Sequence, residues 1–380
     1  MEEWKEYRIK DLGEVVTGNT PPTSNREYYG TEYKFIKPTD MVEGQRFVPT
    51  TEEYYSELAY QKYKKCLLPP KTPCVVTIGS LGKKMCLTDT ECFTNQAVNA
   101  VIPNKENDGE FLYYAFKASV LAYVKQLDSG TTSGRENVSK SSFSKIKVRV
   151  PSLHTQQKIA SILSAYDNLI QNYKKQIEAL QTAASELYKE WFVRFRFPGY
   201  QTAEFENGIP EGWKVEKLTK LVEVKYGKDH SKLDVGNIPV YGSGGIMRYC
   251  NKALYDKETV LIPRKGSLNN IMYAKNPLWT VDTMFYTVML RKNIAKYLYY
   301  VLSKIDMESF NAGAALPSMT TEILSHFKII VPDNEILESF DKKIALIFTQ
   351  IDNLQQQITN LTQQRDLLLP RLMSGKLEVE

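Results

Sequence analysis

Residues 155–193 read TQQKIASILSAYDNLIQNYKKQIEALQTAASELYKEWFV, and this stretch decides the fold. Its apolar seam runs Ile159, Ile162, Tyr166, Ile170, Tyr173, Ile177, Leu180, Ala184, Leu187, Trp191. From Ile170 onward the spacing alternates three and four, the mark of a heptad seam. The two steps of four at Ile162–Tyr166–Ile170 predict a stutter, where a supercoil relaxes. A second stretch, 334–373, repeats the pattern through Ile344, Ile347, Ile351, Leu354, Ile358, Leu361, Arg365, Leu368 and Leu372. Arg365 is the only charged member of that seam and is expected to cap or bridge the coil. At about 1.5 Å per residue each helix is roughly 55 Å long, too long to bury its stripe alone. The simplest partner of each helix is the other. The first carries the chain away from what precedes it, so the second must run back, giving an antiparallel intramolecular coiled coil. Packing of each helix on its own module, or pairing between molecules, are the other arrangements the seam allows.

The sequence flanking the helices is written twice. WKEYRIKDLGEVVTGNTPP from Trp4 is echoed by WKVEKLTKLVEVKYGKD from Trp213. FLYYAFKAS from Phe111 is echoed by YLYYVLSKI from Tyr297. A small-residue loop follows each, GTTSGRENVSK from Gly130 and NAGAALPSMT from Asn311, then a β-branched strand ending in Val-Pro at Pro151 and Pro332. Asp167-Asn168-Leu169 recurs as Asp352-Asn353-Leu354. The offset shrinks from 209 at the tryptophans to 185 at these triplets (213 − 4; 352 − 167), so the second module is the shorter. A period this long is a domain duplication, not a solenoid. The organisation expected is a first module at 1–150, a helix at 151–199, a second module at 200–331 and a second helix at 332–380. The modules read as mixed α/β, with strand-like runs such as PCVVTIG, AVNAVIP, TVLIP and YTVML between short helices and Gly/Pro/Asn loops. The architecture predicted is two mixed α/β modules held apart by the coiled coil, with approximate two-fold symmetry.

Of the net charge of +5, residues 1–150 and 200–331 together carry +6 and the two helical segments −1. Cations on the modules favour a polyanionic partner there. The five cysteines form no CxxC pair and His154, His230 and His326 are scattered, so no metal site is expected and buried thiols in a reducing cytoplasm fit better. Neither a signal peptide nor a run of eighteen apolar residues is found, which predicts a soluble cytoplasmic protein without a membrane partner.

Several segments resemble the specificity subunits of type I restriction–modification systems. LLPRLMSGKLEV (Leu368–Val379) is similar to that family's terminal signature, and ELYKEWFVRFRFPG (Glu186–Gly199) to the end of its first helix. GIPEGWKVEKL (Gly208–Leu218) resembles the entry into a second target-recognition domain, and VPSLHTQQKIASILSAYDNLI the first conserved helix. The resemblance spans essentially the whole chain and is looser inside the modules. It implies that each module is a target-recognition domain reading one half of a gapped, asymmetric site on double-stranded DNA. It implies that the helices dock two modification subunits carrying an S-adenosylmethionine-dependent adenine methyltransferase, and that motor-nuclease restriction subunits join to complete the cleaving complex. It also implies a chain with no cofactor and no catalysis of its own.

The residues agree with the last point. Asn19-Thr20-Pro21-Pro22 lacks the aromatic of a methyltransferase motif, Gly79–Lys84 lacks the spacing of a phosphate loop, and Gly242–Gly245 lacks the third glycine of a dinucleotide fingerprint. For DNA contact, Arg, Lys, Asn and Gln on loops read base edges, and Ser adds phosphate contacts. The candidates are Lys83, Lys84, Arg135, Asn137 and Lys140 in the first module, and Ser243, Arg248, Arg264, Lys265, Asn269 and Asn270 in the second. Glycines beside them allow close backbone approach. The competing reading is a non-enzymatic coiled-coil scaffold with duplicated binding domains for protein or glycan, which would show no salt-dependent DNA affinity.

Overall fold

The computed structural model describes residues 4–128, 136–311 and 317–379. The chain forms two compact units, Met1–Lys174 with Gln356–Glu380, and Lys175–Gln355. Both junctions fall inside the long helices, so each helix gives one segment to each unit.

The first unit holds a four-stranded antiparallel sheet ordered Gly13–Thr17, Val98–Pro103, Pro73–Val76, Met85–Leu87. A second sheet orders Tyr29–Gly30, Glu53–Tyr55, Tyr33–Ile36 and Cys92–Thr94, the last pair parallel. Lys5–Arg8 pairs antiparallel with Lys147–Val150.

The second unit repeats this plan. Its four-stranded sheet runs Val222–Tyr226, Met284–Met289, Thr259–Pro263, Met272–Ala274. Its other sheet runs Gly245–Cys250, Ile238–Gly242 and Trp279–Thr280, again with a parallel last pair. Lys214–Lys217 pairs with Lys328–Val331. The register is repeated as well: Thr17 opposes Asn99 where Tyr226 opposes Phe285, and Lys5 opposes Val150 where Lys214 opposes Val331. Gly18 and Gly227, at the same place in the two units, leave no room for a side chain. A Cβ would meet the carbonyl of Thr94 at 2.1 Å or of Val281 at 2.0 Å.

The second module is shorter at two connections. In the first unit residues 37–52 join two paired strands; in the second, Ser243 and Gly244 alone make that turn. Residues 56–72, with the short helix Glu57–Tyr63, are matched by 251–258.

The long helices are Leu153–Tyr188, prolonged by a π-turn Lys189–Val193, and Asn334–Met373. Each begins two residues after the proline, Pro151 or Pro332, that directly follows a strand. Ser152 accepts from the Thr155 amide at 3.5 Å and Asp333 from the Ile336 amide at 2.9 Å, supplying the caps. Of the seam, Ile159, Ile170, Ala184, Trp191, Ile344, Leu354, Ile358 and Leu372 are buried with Arg365, and Tyr166, Tyr173, Ile177, Leu180, Leu187, Ile347, Ile351, Leu361 and Leu368 are half-buried. Within each unit the two helical segments run antiparallel. In the first, Asp167 meets Arg365 while Lys158–Ile162 lie beside Leu368–Leu372. In the second, Trp191 meets Phe340 at 5.9 Å while Gln181 and Ser185 share a groove with Phe348 and Ile351.

The predicted stutter is corrected. Ile162 is 37% exposed, whereas Leu163 is fully buried and Asp167 nearly so. Buried residues Gln156, Leu163, Ile170, Ala184 and Trp191, with half-buried Ile177, keep an unbroken seven-residue step. An apolar-only reading steps onto Ile162 because it cannot accept an aspartate in the seam.

The helix ends also belong to the module cores. Leu369 and Leu372 pack in one cluster with Ile9, Phe111 and Leu163, with Trp4 against it. Trp4 sits so close that a Cβ at Gly375 would approach its Nε1 to 3.0 Å. In the second unit Trp213 packs on Phe192, Phe195 and Phe197, with ring centroids 5.1–5.8 Å apart. The tryptophan opening each module therefore seats on the C-terminal end of a long helix, which explains why that tryptophan is repeated. Among the described residues no helix is long and apolar enough to cross a membrane.

Candidate nucleic-acid interface

The first pair of candidate loops is brought together by main-chain bonds. Gly79 N–H donates to Glu136 O (2.9 Å) and Val138 N–H to Thr77 O (2.8 Å), while Ile78 and Asn137 form a β-bridge. Thr77 and Ile78 both donate to Ala97 O. The second module repeats each bond. Gly266 donates to Pro317 O (3.3 Å), Met319 to Arg264 O (2.8 Å), Lys265 bridges Ser318, and Arg264 and Lys265 both donate to Thr283 O. Gly79 and Gly266 take the left-handed conformation at φ of 88° and 84°, which a glycine adopts without a Cβ penalty. Leu81 and Leu268 anchor the two turns in the cores. Gly79-Ser80-Leu81 thus recurs as Gly266-Ser267-Leu268, a repeat present in the sequence but too short to stand out there. Ser80 and Ser267 are exposed and were not among the predicted contacts.

The predicted residues fall into two groups. Lys83, Lys140 and Lys265 are exposed, and Lys140 opens a short helix capped by the Ser139 hydroxyl. Arg264 is half-buried. The rest spend at least part of their polar groups on the protein. Lys84 donates to Pro38 O (2.8 Å), and the Asn137 backbone N–H donates to Asp128 Oδ1 (2.9 Å). Arg248 Nη2 donates to the carbonyls of His230 (2.6 Å) and Leu233 (2.8 Å). Asn269 Oδ1 accepts from Met307 N (2.7 Å) and Glu308 N (3.3 Å), and its Nδ2 donates to Asp306 Oδ1 (3.1 Å). Asn270 Nδ2 donates to Ser243 O (2.8 Å), tying the Ser243-Gly244 turn to the Gly-Ser-Leu turn. Arg135 lies outside the described residues.

Each module is gripped by a helix at the repeated Asp-Asn-Leu. Tyr114 Oη donates to Asp167 Oδ2 (2.6 Å) and Arg365 Nη1 to Asp167 Oδ1 (2.5 Å). Arg46, almost buried, joins Asn168 (3.2 Å) to Glu110 (2.7 Å). Burial pushes the Tyr114 phenol up, and the Asp167 charge adds to that. Burial works against the Arg365 charge, but the carboxylates of Asp167 and Asp366 outweigh it and raise its pKa. In the second unit Asp352 pairs with Lys275, and buried Lys296 joins Glu258 (2.5 Å) to Asp341 (2.9 Å). These networks fix the modules on the helices from which the loops are presented.

The model of the type I restriction modification DNA specificity domain matches residues 1–182 and again 210–367. The MjaIX type I restriction enzyme specificity subunit of Methanocaldococcus jannaschii is 28% identical over 418 residues, covering all of this chain and 94% of that protein. The HindI specificity subunit of Haemophilus influenzae is 36% identical over 175 residues, 44% of this chain and 38% of its own length. In structure, the type I restriction–modification S subunit of M. genitalium matches with a TM-score of 0.66 at 20% identity, over 98% of this chain and 96% of that one.

Proposed function

The chain belongs to the type I restriction modification DNA specificity family, and from this premise we propose that each module reads one half of a gapped, asymmetric DNA site. One observation carries the reading: both modules present the same bonded pair of loops around a Gly-Ser-Leu turn, with different polar side chains on it. Shared turns suit contacts common to any duplex, namely phosphates; unlike side chains suit unlike bases. Ser80 and Ser267, with Lys83, Lys140 and Lys265, are assigned to phosphates. Arg264 is assigned to a base edge, and Arg135 remains a proposed contact. Lys84, Asn137, Ser243, Arg248, Asn269 and Asn270 shape the loops that carry them.

In this reading the two helices set the unread gap and dock two modification subunits. Those subunits bring S-adenosylmethionine and methylate adenine, and restriction subunits complete a cytoplasmic complex. The chain itself selects the site and does no chemistry. The test is binding of a cognate duplex by the chain with its modification subunits across a salt series. The logarithm of affinity falls linearly with the logarithm of salt in proportion to the phosphates neutralised. Replacing Lys83, Lys140 and Lys265 with glutamine flattens that slope and leaves the preferred sequence unchanged. Affinity indifferent to salt refutes the reading and favours a protein or glycan scaffold.

A further inference from the structure

Three neighbouring positions at one end of the four-stranded antiparallel sheet, the one opened by Gly13–Thr17 in the first module and by Val222–Tyr226 in the second, are exchanged together between the modules. In the first, Thr17 Oγ1 donates to Asn99 Oδ1 (2.5 Å), and Asn99 Nδ2 donates to Thr77 Oγ1 (2.8 Å). Asn99 and Thr77 are buried and Thr17 is half-buried, and the Thr77 hydroxyl also donates to Ala97 O (3.5 Å), so the polar groups of the trio are spent on the protein. In the matching register of the second module stand Tyr226, Phe285 and Arg264. The buried Phe285 ring meets Tyr226 edge-on at 5.0 Å. Tyr226 is 51% exposed, and the Arg264 guanidinium lies 5.3 Å from its ring centre. Arg264 Nη1 donates to Asp282 O at 3.2 Å.

A hydrogen-bonded polar trio is thus replaced by an aromatic pedestal carrying a guanidinium, immediately before the Gly266 turn. A guanidinium has five N–H donors in a rigid fork, and Asp282 accepts one. Stacking on a ring pre-organises that fork, which matches the O6 and N7 acceptors of guanine. Arg248, the other arginine near these loops, is turned to the carbonyls of His230 and Leu233. We propose that Arg264, positioned by Tyr226, is the guanine-reading side chain of the second module, and that the first module reads no base at the corresponding Thr77. The proposal rests on the DNA-reading function above and adds which residue discriminates and which base it selects.

The experiment is selection from a randomised duplex library by the full chain in complex with its modification subunit, followed by sequencing. Wild type should return a bipartite motif with guanine at a position of one half-site. Arg264→Ala should cost that position about tenfold or more in preference and leave the other half-site and the gap unchanged. Arg264→Lys keeps the charge but not the fork and should relax the same position. Tyr226→Ala should relax it in part, and Tyr226→Phe, which keeps the ring, should restore it. A positional loss confined to one base pair is not what a merely structural role produces. If Arg264→Ala lowers affinity evenly for all sequences, or leaves the motif intact, the assignment of Arg264 is wrong while the DNA-reading function stands. If wild type selects no motif, the DNA-reading function fails and the assignment falls with it.

Discussion

Asp167 and Arg365 are the charged residues that the helix seams tolerate in their interior, and each is tolerated because of the other. Both are nearly buried, and desolvating two charges is repaid only by close pairing and by further hydrogen bonds. Tyr114 supplies one to Asp167, and Asp366 accepts from Arg365 Nε and Nη2. Arg365→Leu leaves a buried carboxylate without its cation and should cost about 3 kcal/mol. The double variant Asp167→Leu, Arg365→Leu removes both charges and should recover most of that loss. Urea unfolding of wild type, the single and the double variant measures this directly. A double variant no more stable than the single would mean the pair is not coupled. The expectation that Arg365 bridges the coil is met by the structure; its partner was hidden because an aspartate is not sought in an apolar stripe. That one omission also produced the stutter through Ile162.

At the scale of elements, the long helices were legible from their sequence and the sheets were not. A seam of nine or ten positions at fixed spacing is a local signal. The second helix, Asn334–Met373, coincides with the stretch 334–373 that carries its seam, and the first starts at Leu153, two residues before the stretch 155–193 that carries the other. Strands of two to six residues take their order and register from partners far away, such as Cys74 with Ala100 or Tyr33 with Tyr55, which no local pattern encodes. The candidate loops were half legible. Glycine-rich composition pointed to residues 79–84 and 264–270, but only the main-chain bonds pair them with 136–138 and 317–319. These bonds lead to a prediction about the turns. A non-glycine residue at the left-handed Gly79 or Gly266 costs about 1–2 kcal/mol. Gly79→Val and Gly266→Val should therefore lower the urea midpoint modestly and weaken duplex binding at least tenfold, with helix content by circular dichroism unchanged. Undiminished binding would remove the turns from the interface.

For the whole molecule, the duplication is the governing fact: two units share sheet order, register and loop bonding, and the two long helices pass from one unit to the other. If those helices set the unread gap, lengthening both must change it. One heptad inserted after Lys174 and one after Gln355 adds about 10 Å to each helix, or about three base pairs of duplex. The gap should grow by that amount with both half-sites unchanged; altered half-sites would refute the ruler. The central claim, that this chain chooses the DNA sequence its complex modifies, is tested most directly by a genome-wide map of methylated adenine with and without its gene. The account predicts one gapped, asymmetric motif methylated in the parent strain and unmethylated in the deletion. An unchanged map in a strain whose modification subunit is active would contradict it.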